Sequence, residues 1–218
     1  MNIDINEVKR YLRVKGGGYE GLDETIRRVA DKASAELCPK SIINKFAVEW
    51  TEEGLRLKGT DIVFGGNLVR KTFDGCDEIY IFAATLTLES ELFMKKQAAL
   101  GAVEGVVSDC VLTTMIESCC DDIDGAIAAR EAARGRSVTR RISCGYGDFP
   151  LECQKDILDI LGAGKILGVK LNENNMMYPN KTVTALMGVK DMSFETVGGG
   201  EAMADKCSSC CSCCEFKR

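Results

Sequence analysis

Apolar residues recur at helical spacing at Ile5, Val8, Tyr11 and Leu12, which predicts a short helix over residues 4–14. A second helix is predicted from Asp23, placed as its cap, to Leu37, with Ile26, Val29, Ala30, Ala33 and Leu37 on its buried stripe and Cys38-Pro39 ending it. The period then changes to two. Phe46, Val48 and Trp50 alternate as the inward face of a strand, and Leu55 and Leu57 continue the pattern beyond a Glu53-Gly54 turn. Gly65-Gly66 interrupts the chain before a short helix near 67–73. Glu78 to Ala84 is almost wholly apolar, as expected of a central strand covered on both faces. Residues 88 to about 134 read as two helices, and Ala98, Ala102 and Gly105 are small enough to let them pack closely. Cys110, Cys119 and Cys120 in that block read as small buried apolar residues.

Beyond the helical block, Val138 to Cys144 is predicted as a strand. Asp148 and Pro150 then suit the cap and first turn of a helix that carries Ile157, Leu158 and Leu161 and stops at Gly162. Residues 165–171 read as strand, Asn172 to Asn180 as a polar loop holding Met176, Met177 and Tyr178, and Thr182 to Met187 as a last strand. Strands and helices alternate irregularly around a helical middle. The prediction is an α+β fold with a mostly antiparallel sheet. Residues 1–197 form its one domain, followed by a Gly198-Gly199-Gly200 linker and a cysteine-rich tail within 198–218.

Composition narrows the chemistry. A formal charge of −5, with Lys and Arg scattered, argues against nucleic acid as the partner. The first seven residues lack the apolar core of a signal peptide, and no apolar run is long enough for a bilayer, so a cytoplasmic protein without a membrane partner is expected. Among 218 residues there is no histidine, which removes Ser-His-Asp and Cys-His catalysis and histidine-ligated metal from this chain. Gly16-Gly17-Gly18 follows no strand and lacks a closing Gly-Lys-Ser/Thr, so it is not read as a phosphate loop.

The densest chemistry lies in Arg141-Ile-Ser-Cys-Gly-Tyr-Gly-Asp-Phe-Pro150. A guanidinium can hold a carboxylate through two parallel hydrogen bonds. Gly145 and Gly147 let backbone groups approach a ligand closely, and Tyr146 adds a flat face with a polar tip. Such a set suits a small zwitterion bearing a flat ring; a strand ending in a solvated Gly-rich turn is the simpler reading of the same ten residues.

With the segment Leu171-Asn-Glu173-Asn-Asn-Met-Met177-Tyr178-Pro179-Asn-Lys-Thr-Val183-Thr184, this stretch resembles the activation domain of cobalamin-dependent methionine synthase. That family carries Arg-x-x-x-Gly-Tyr, matched by Arg141, Gly145 and Tyr146, and then Leu-x-Glu, Met-aromatic-Pro and Val-Ser/Thr, matched by Leu171, Glu173, Met177, Tyr178, Pro179, Val183 and Thr184. The resemblance is specific over about 137–190 and loose before that. It implies a twisted antiparallel sheet flanked by helices. It also implies an S-adenosylmethionine site at Arg141, Cys144, Gly145, Tyr146, Gly147, Glu173 and Tyr178, with Glu173 or Asp148 meeting the ligand's positive charge. The activity implied is reductive remethylation of cob(II)alamin. Lacking histidine, the chain has no cobalt ligand of the family's kind, so the cobalamin is expected on a partner methionine synthase subunit, with flavodoxin or ferredoxin as electron donor. A corrinoid protein of another methyl-transfer pathway is the alternative client.

Twelve cysteines are unusual for a reducing compartment, and five of them fall at Cys207, Cys210, Cys211, Cys213 and Cys214. Thiolates so closely spaced favour zinc, copper(I) or an iron–sulfur cluster, or form a dithiol redox pair. A second reading of the whole chain is therefore a thiol-rich metal-binding or electron-transfer accessory protein.

Overall fold

The computed structural model describes residues 3–14 and 21–191. Its elements run in the order α1 (Ile5–Tyr11), α2 (Leu22–Glu36), β1 (Lys40–Trp50), β2 (Leu55–Leu57), β3 (Val63–Phe64), α3 (Asn67–Phe73), β4 (Glu78–Thr85), α4 (Thr87–Leu100), α5 (Ala102–Ala132), β5 (Arg136–Val138), α6 (Cys153–Leu161), α7 (Ala163–Ile166), β6 (Lys170–Leu171), β7 (Met177–Tyr178) and β8 (Thr182–Asp191). Six strands form one sheet in the order β3-β2-β1-β4-β8-β5, every neighbouring pair antiparallel, and β6 and β7 make a separate hairpin. The fold is α+β, as the sequence pattern predicts. Among the described residues no helix is long and apolar enough to cross a membrane.

β4 explains the architecture. Side chains alternate across a strand, and here both sides are covered. Tyr80, Phe82 and Ala84 join a core with α1, α2, α4 and α5 that also takes Ala185, Met187 and Val189 of β8. Ile79, Ile81 and Ala83 join the opposite core with α3, α6, Leu55 and Leu57 of β2, and Leu186 of β8. An apolar run without alternation is the necessary result. Each large side chain fully buried in this way contributes roughly 1.5–3 kcal/mol; Phe82, Ile79 and Ile81 are all fully buried.

Local chemistry sets the element ends. Asp4 caps α1 by accepting from the Asn6 amide at 2.8 Å. The cap of α2 is Gly21, in the left-handed region at φ 82°, so Asp23 lies inside the first turn and serves its charge to the helix N-terminus instead. The close approach expected of α4 and α5 is present: a Cβ on Gly105 would stand 3.3 Å from the Ala98 Cα.

Three other expectations are corrected. Trp50 does not face inward; it is 37% exposed, with Arg70 over its ring, because β1 has run past the cores by that point. The predicted 165–171 strand begins as the helical turn α7 and is strand only at Lys170 and Leu171, where it pairs with β7; Tyr178 is thus in a strand, not in loop. The predicted 138–144 strand is broken. β5 ends at Val138, the Thr139 amide donates to the Gly188 carbonyl, and pairing resumes only at the isolated bridge Ile142–Leu186.

Candidate functional site

That break places the chemistry. Ile142 is buried in the core on the α6 side, so its neighbour Arg141 projects to the other side of the sheet, where α5 runs. Glu117, Asp121 and Asp124 stand at helical spacing on one face of α5. The Arg141 guanidinium donates to Glu117 at 2.8 Å, to Asp121 at 2.8 Å and to Asp124. Only 6% of the Arg141 side chain is exposed, against 63% for Asp121 and 36% for Glu117. Burial by itself would ease the proton off this guanidinium, but hydrogen bonds and charge from Asp121 and Asp124 outweigh it and raise its pKa.

The glycine turn follows at once. Gly145 and Gly147 have φ of 86° and 57°, left-handed values that glycine adopts without steric cost. The Gly145 amide donates to the Phe149 carbonyl at 2.9 Å, and the Phe149 amide returns to the Tyr146 carbonyl at 3.0 Å, so the turn is closed on itself. Phe149 anchors it in the core, edge-on to Phe64. Tyr146 stands at the apex and is 52% exposed. Cys144 turns its thiol into the core, and burial pushes that thiol up to about 12, which keeps it protonated and unreactive at neutral pH.

Asp148 has a task other than the one expected. Its carboxylate accepts from the Asn67 and Leu68 amides at 2.6 and 2.8 Å, so it caps α3, some eighty residues earlier, and not the following helix. Gly66 permits this, since a Cβ there would fall 2.7 Å from the Asp148 carbonyl oxygen. These two backbone hydrogen bonds hold the Asp148 carboxyl below its usual range. α6 starts at Cys153 instead, three residues beyond Pro150.

The second resembling segment is tied to α6, the helix that follows the first, through Gln154. This buried amide donates to the Met177 sulfur and, at 2.7 Å, to the Thr184 hydroxyl. Tyr178, 45% exposed on β7, lies beside that junction in sequence, and the next turn is fastened to α4 by Asn180, whose amide donates to Glu91 at 2.7 Å. Glu173 lies on the exposed turn between β6 and β7, and no hydrogen bond or ion pair links it to Arg141 among the described residues. The acids beside Arg141 are Glu117, Asp121 and Asp124 of α5, which are not among the residues predicted for the site. Their Glu-x-x-x-Asp-x-x-Asp spacing was the available signal, masked by a helix that is apolar and polar on all sides.

Cys207, Cys210, Cys211, Cys213 and Cys214 lie outside the described residues, as do Gly16-Gly17-Gly18. Among the described residues no group of three or more Cys, Asp or Glu is arranged to hold a metal ion.

No protein-family model matches the chain, and no curated protein matches it. A solved structure does. The MetH reactivation domain bound to AdoHcy aligns over 82% of this chain and 68% of its own length, with a TM-score of 0.61 and 18% identity. The fold is that of the MetH reactivation domain. The architecture implied by the resemblance at Arg141–Tyr146 and Leu171–Thr184 is therefore present over most of the chain, well beyond those two segments. Within this reactivation-domain fold, the first segment is bridged to β8 at Ile142–Leu186, two residues past the second segment, and Gln154 of α6 holds Met177 and Thr184 of the second.

Proposed function

We propose that this chain binds S-adenosylmethionine at Arg141, the Gly145–Gly147 turn and the acidic face of α5, and serves the reductive remethylation of a cobalamin carried by a partner subunit of methionine synthase. The observation that carries the reading is the pairing of both charge signs at one place, a buried guanidinium with three carboxylates, four residues before a turn of glycines that carries an exposed tyrosine. S-adenosylmethionine carries one carboxylate, one ammonium and one sulfonium. Arg141 takes the ligand carboxylate in exchange for one of its carboxylate partners, and the carboxylate released takes the ammonium. The number of ion pairs is conserved, so little desolvation is added. The remaining acids favour the net positive charge of the ligand. Gly145 and Gly147 let their backbone approach the adenosine, on whose face Tyr146 packs, and Tyr178 lines the far side.

When bound, the ligand supplies a methyl group already activated on sulfur. The residues named here therefore have to position and shield it, and no general base is required. The absence of histidine in these 218 residues is compatible with that task, and in this reading the cobalt is held by the partner subunit. The electron is taken from flavodoxin or ferredoxin, and the setting is the cytoplasm.

Calorimetric titration tests the site. Arg141→Ala should lose about 10- to 100-fold in affinity for S-adenosylmethionine, the worth of a charge-assisted hydrogen-bonded pair. It should lose almost nothing for decarboxylated S-adenosylmethionine, which has no carboxylate to offer. Asp121→Asn, on an exposed side chain, should weaken both ligands. Absence of binding by the parent protein, or equal losses for the two ligands in Arg141→Ala, refutes the assignment.

A further inference from the structure

β1 is eleven residues long but is paired on both sides only near its end. The Val48 amide donates to the Asp77 carbonyl on the β4 side, and the Lys58 amide donates to the Ala47 carbonyl on the other. Hydrogen-bonding direction alternates along an antiparallel strand. Even-numbered residues of β1 therefore bond to β4, while the N–H and C=O groups of Ser41, Ile43 and Lys45 point to the outer edge. β2 covers that edge only from Ala47 to Trp50, and among the described residues no strand pairs with 41–45. The helix layer also leaves this strip open: Ser41, Ile43 and Asn44 are exposed, Ile43 at 39%. Along the α5 side runs a groove of about 320 Å³ lined by Ile43, Lys45, Tyr80, Ala126, Ile127 and Arg130.

We propose that the 41–45 edge and this groove dock an extended, acidic–apolar segment of a partner protein, which adds as a strand in line with β2. Three outward-facing residues offer up to six backbone hydrogen bonds, and a flanking groove provides side-chain selection, the two parts of strand addition. Charge selects the partner. Lys45 is neutralised within the protein by Glu78 and Glu131, and Glu131 is also taken by Tyr80 and Arg134. Lys58, on the same face as Ala47, and Arg130 make no ion pair among the described residues. Arg130 thus brings positive charge to the groove beside the apolar surface of Ile43 and Ile127, and Lys58 adds its own where β2 ends. A second copy of the chain cannot pair over the full 41–45 edge. Antiparallel pairing centred on Ile43 would set Ala47 of one copy opposite Pro39 of the other, in the place Lys58 already occupies.

The test uses the full chain and two synthetic hexapeptides, alternating Val-Glu and alternating Val-Lys, with residue-resolved hydrogen exchange as the readout. The Val-Glu peptide should slow exchange at the Ile43 and Lys45 amides at least tenfold and leave the Ile42 and Asn44 amides, already bonded to β4, unchanged. The Val-Lys peptide should give no protection. Ile43→Pro removes an outward donor without touching a bond to β4, and should abolish the protection while leaving the unfolding transition in place; Arg130→Glu should reverse the peptide preference. Failure of the Val-Glu peptide to protect these amides overturns the proposal. So do equal responses to both peptides, Ile43 and Lys45 amides that are protected before any peptide is added, or a dimer in sedimentation that Ile43→Pro dissolves.

Discussion

Asp148 joins two parts of the chain that sequence places far apart. Its carboxylate supplies the acceptor for two amides at the start of α3, a helix of only seven residues that would not persist alone. Because its folded pKa is lowered, the cap is fully present above the ordinary aspartate range near 4 and is lost as pH falls through the depressed value. Asp148→Ala should reproduce the acid state at neutral pH. The Asn67 and Leu68 amides should exchange at least tenfold faster in that variant, measured by NMR, while amides in the middle of β4 keep their rates. The same residue shows where sequence reading stops. An Asp two residues before a Pro reads as the cap of the next helix, because local spacing is all that a sequence displays. Its real partner is set by a tertiary turn. Arg141, Gly145 and Tyr146 were legible as a group because they are contiguous; Glu117, Asp121 and Asp124 were not, because their meeting with Arg141 depends on which side of a broken strand that arginine leaves.

At the level of elements, α5 is the common support. Its N-terminal half packs against α4, its middle presents the three acids to Arg141, and its last turns carry Glu131 under β1 and β4. Glu131 is fully buried, receives the Tyr80 hydroxyl at 2.5 Å and pairs with Lys45 and Arg134. Burial alone would raise its pKa, yet the hydrogen bonds from Tyr80 and Lys45 and the charges of Lys45 and Arg134 lower it below 4.5. Its contribution is therefore complete above pH 4.5 and declines as pH falls through the lowered value. Glu131→Ala leaves the buried Tyr80 hydroxyl without its acceptor, while Lys45 keeps Glu78, and should cost about 1–3 kcal/mol in urea unfolding at pH 7. That penalty should shrink when the titration is repeated near pH 3. The helices and long strands of this scaffold were predictable because apolar period is a strong signal over ten residues or more. Two-residue strands such as β6 and β7 carry no period, and their pairing is decided by the Asn172 turn and the Gln154 bridge.

On the scale of the molecule, among the described residues, which end at Asp191, two cores and a six-stranded sheet are already assembled. Removing residues 198–218 should accordingly leave a single unfolding transition with its midpoint shifted by less than about 3 °C, and leave S-adenosylmethionine affinity within twofold, by calorimetry. A loss of cooperativity would place part of the fold's support in the tail.

The position of β8 has a consequence in time. It is the last described strand in the chain, yet it lies between β4 and β5 inside the sheet, and it contributes to both cores. A ribosome delivers it after everything it must pair with. Until residues 182–191 leave the exit tunnel, β4 presents an apolar strand with one open side, the segment 139–142 has no ladder to join, and the arginine next to Ile142 has no fixed direction. Synthesis of this protein thus includes an interval in which its most adhesive strand waits for a partner, and overexpression should be limited by aggregation during that interval more than by the stability of the finished molecule.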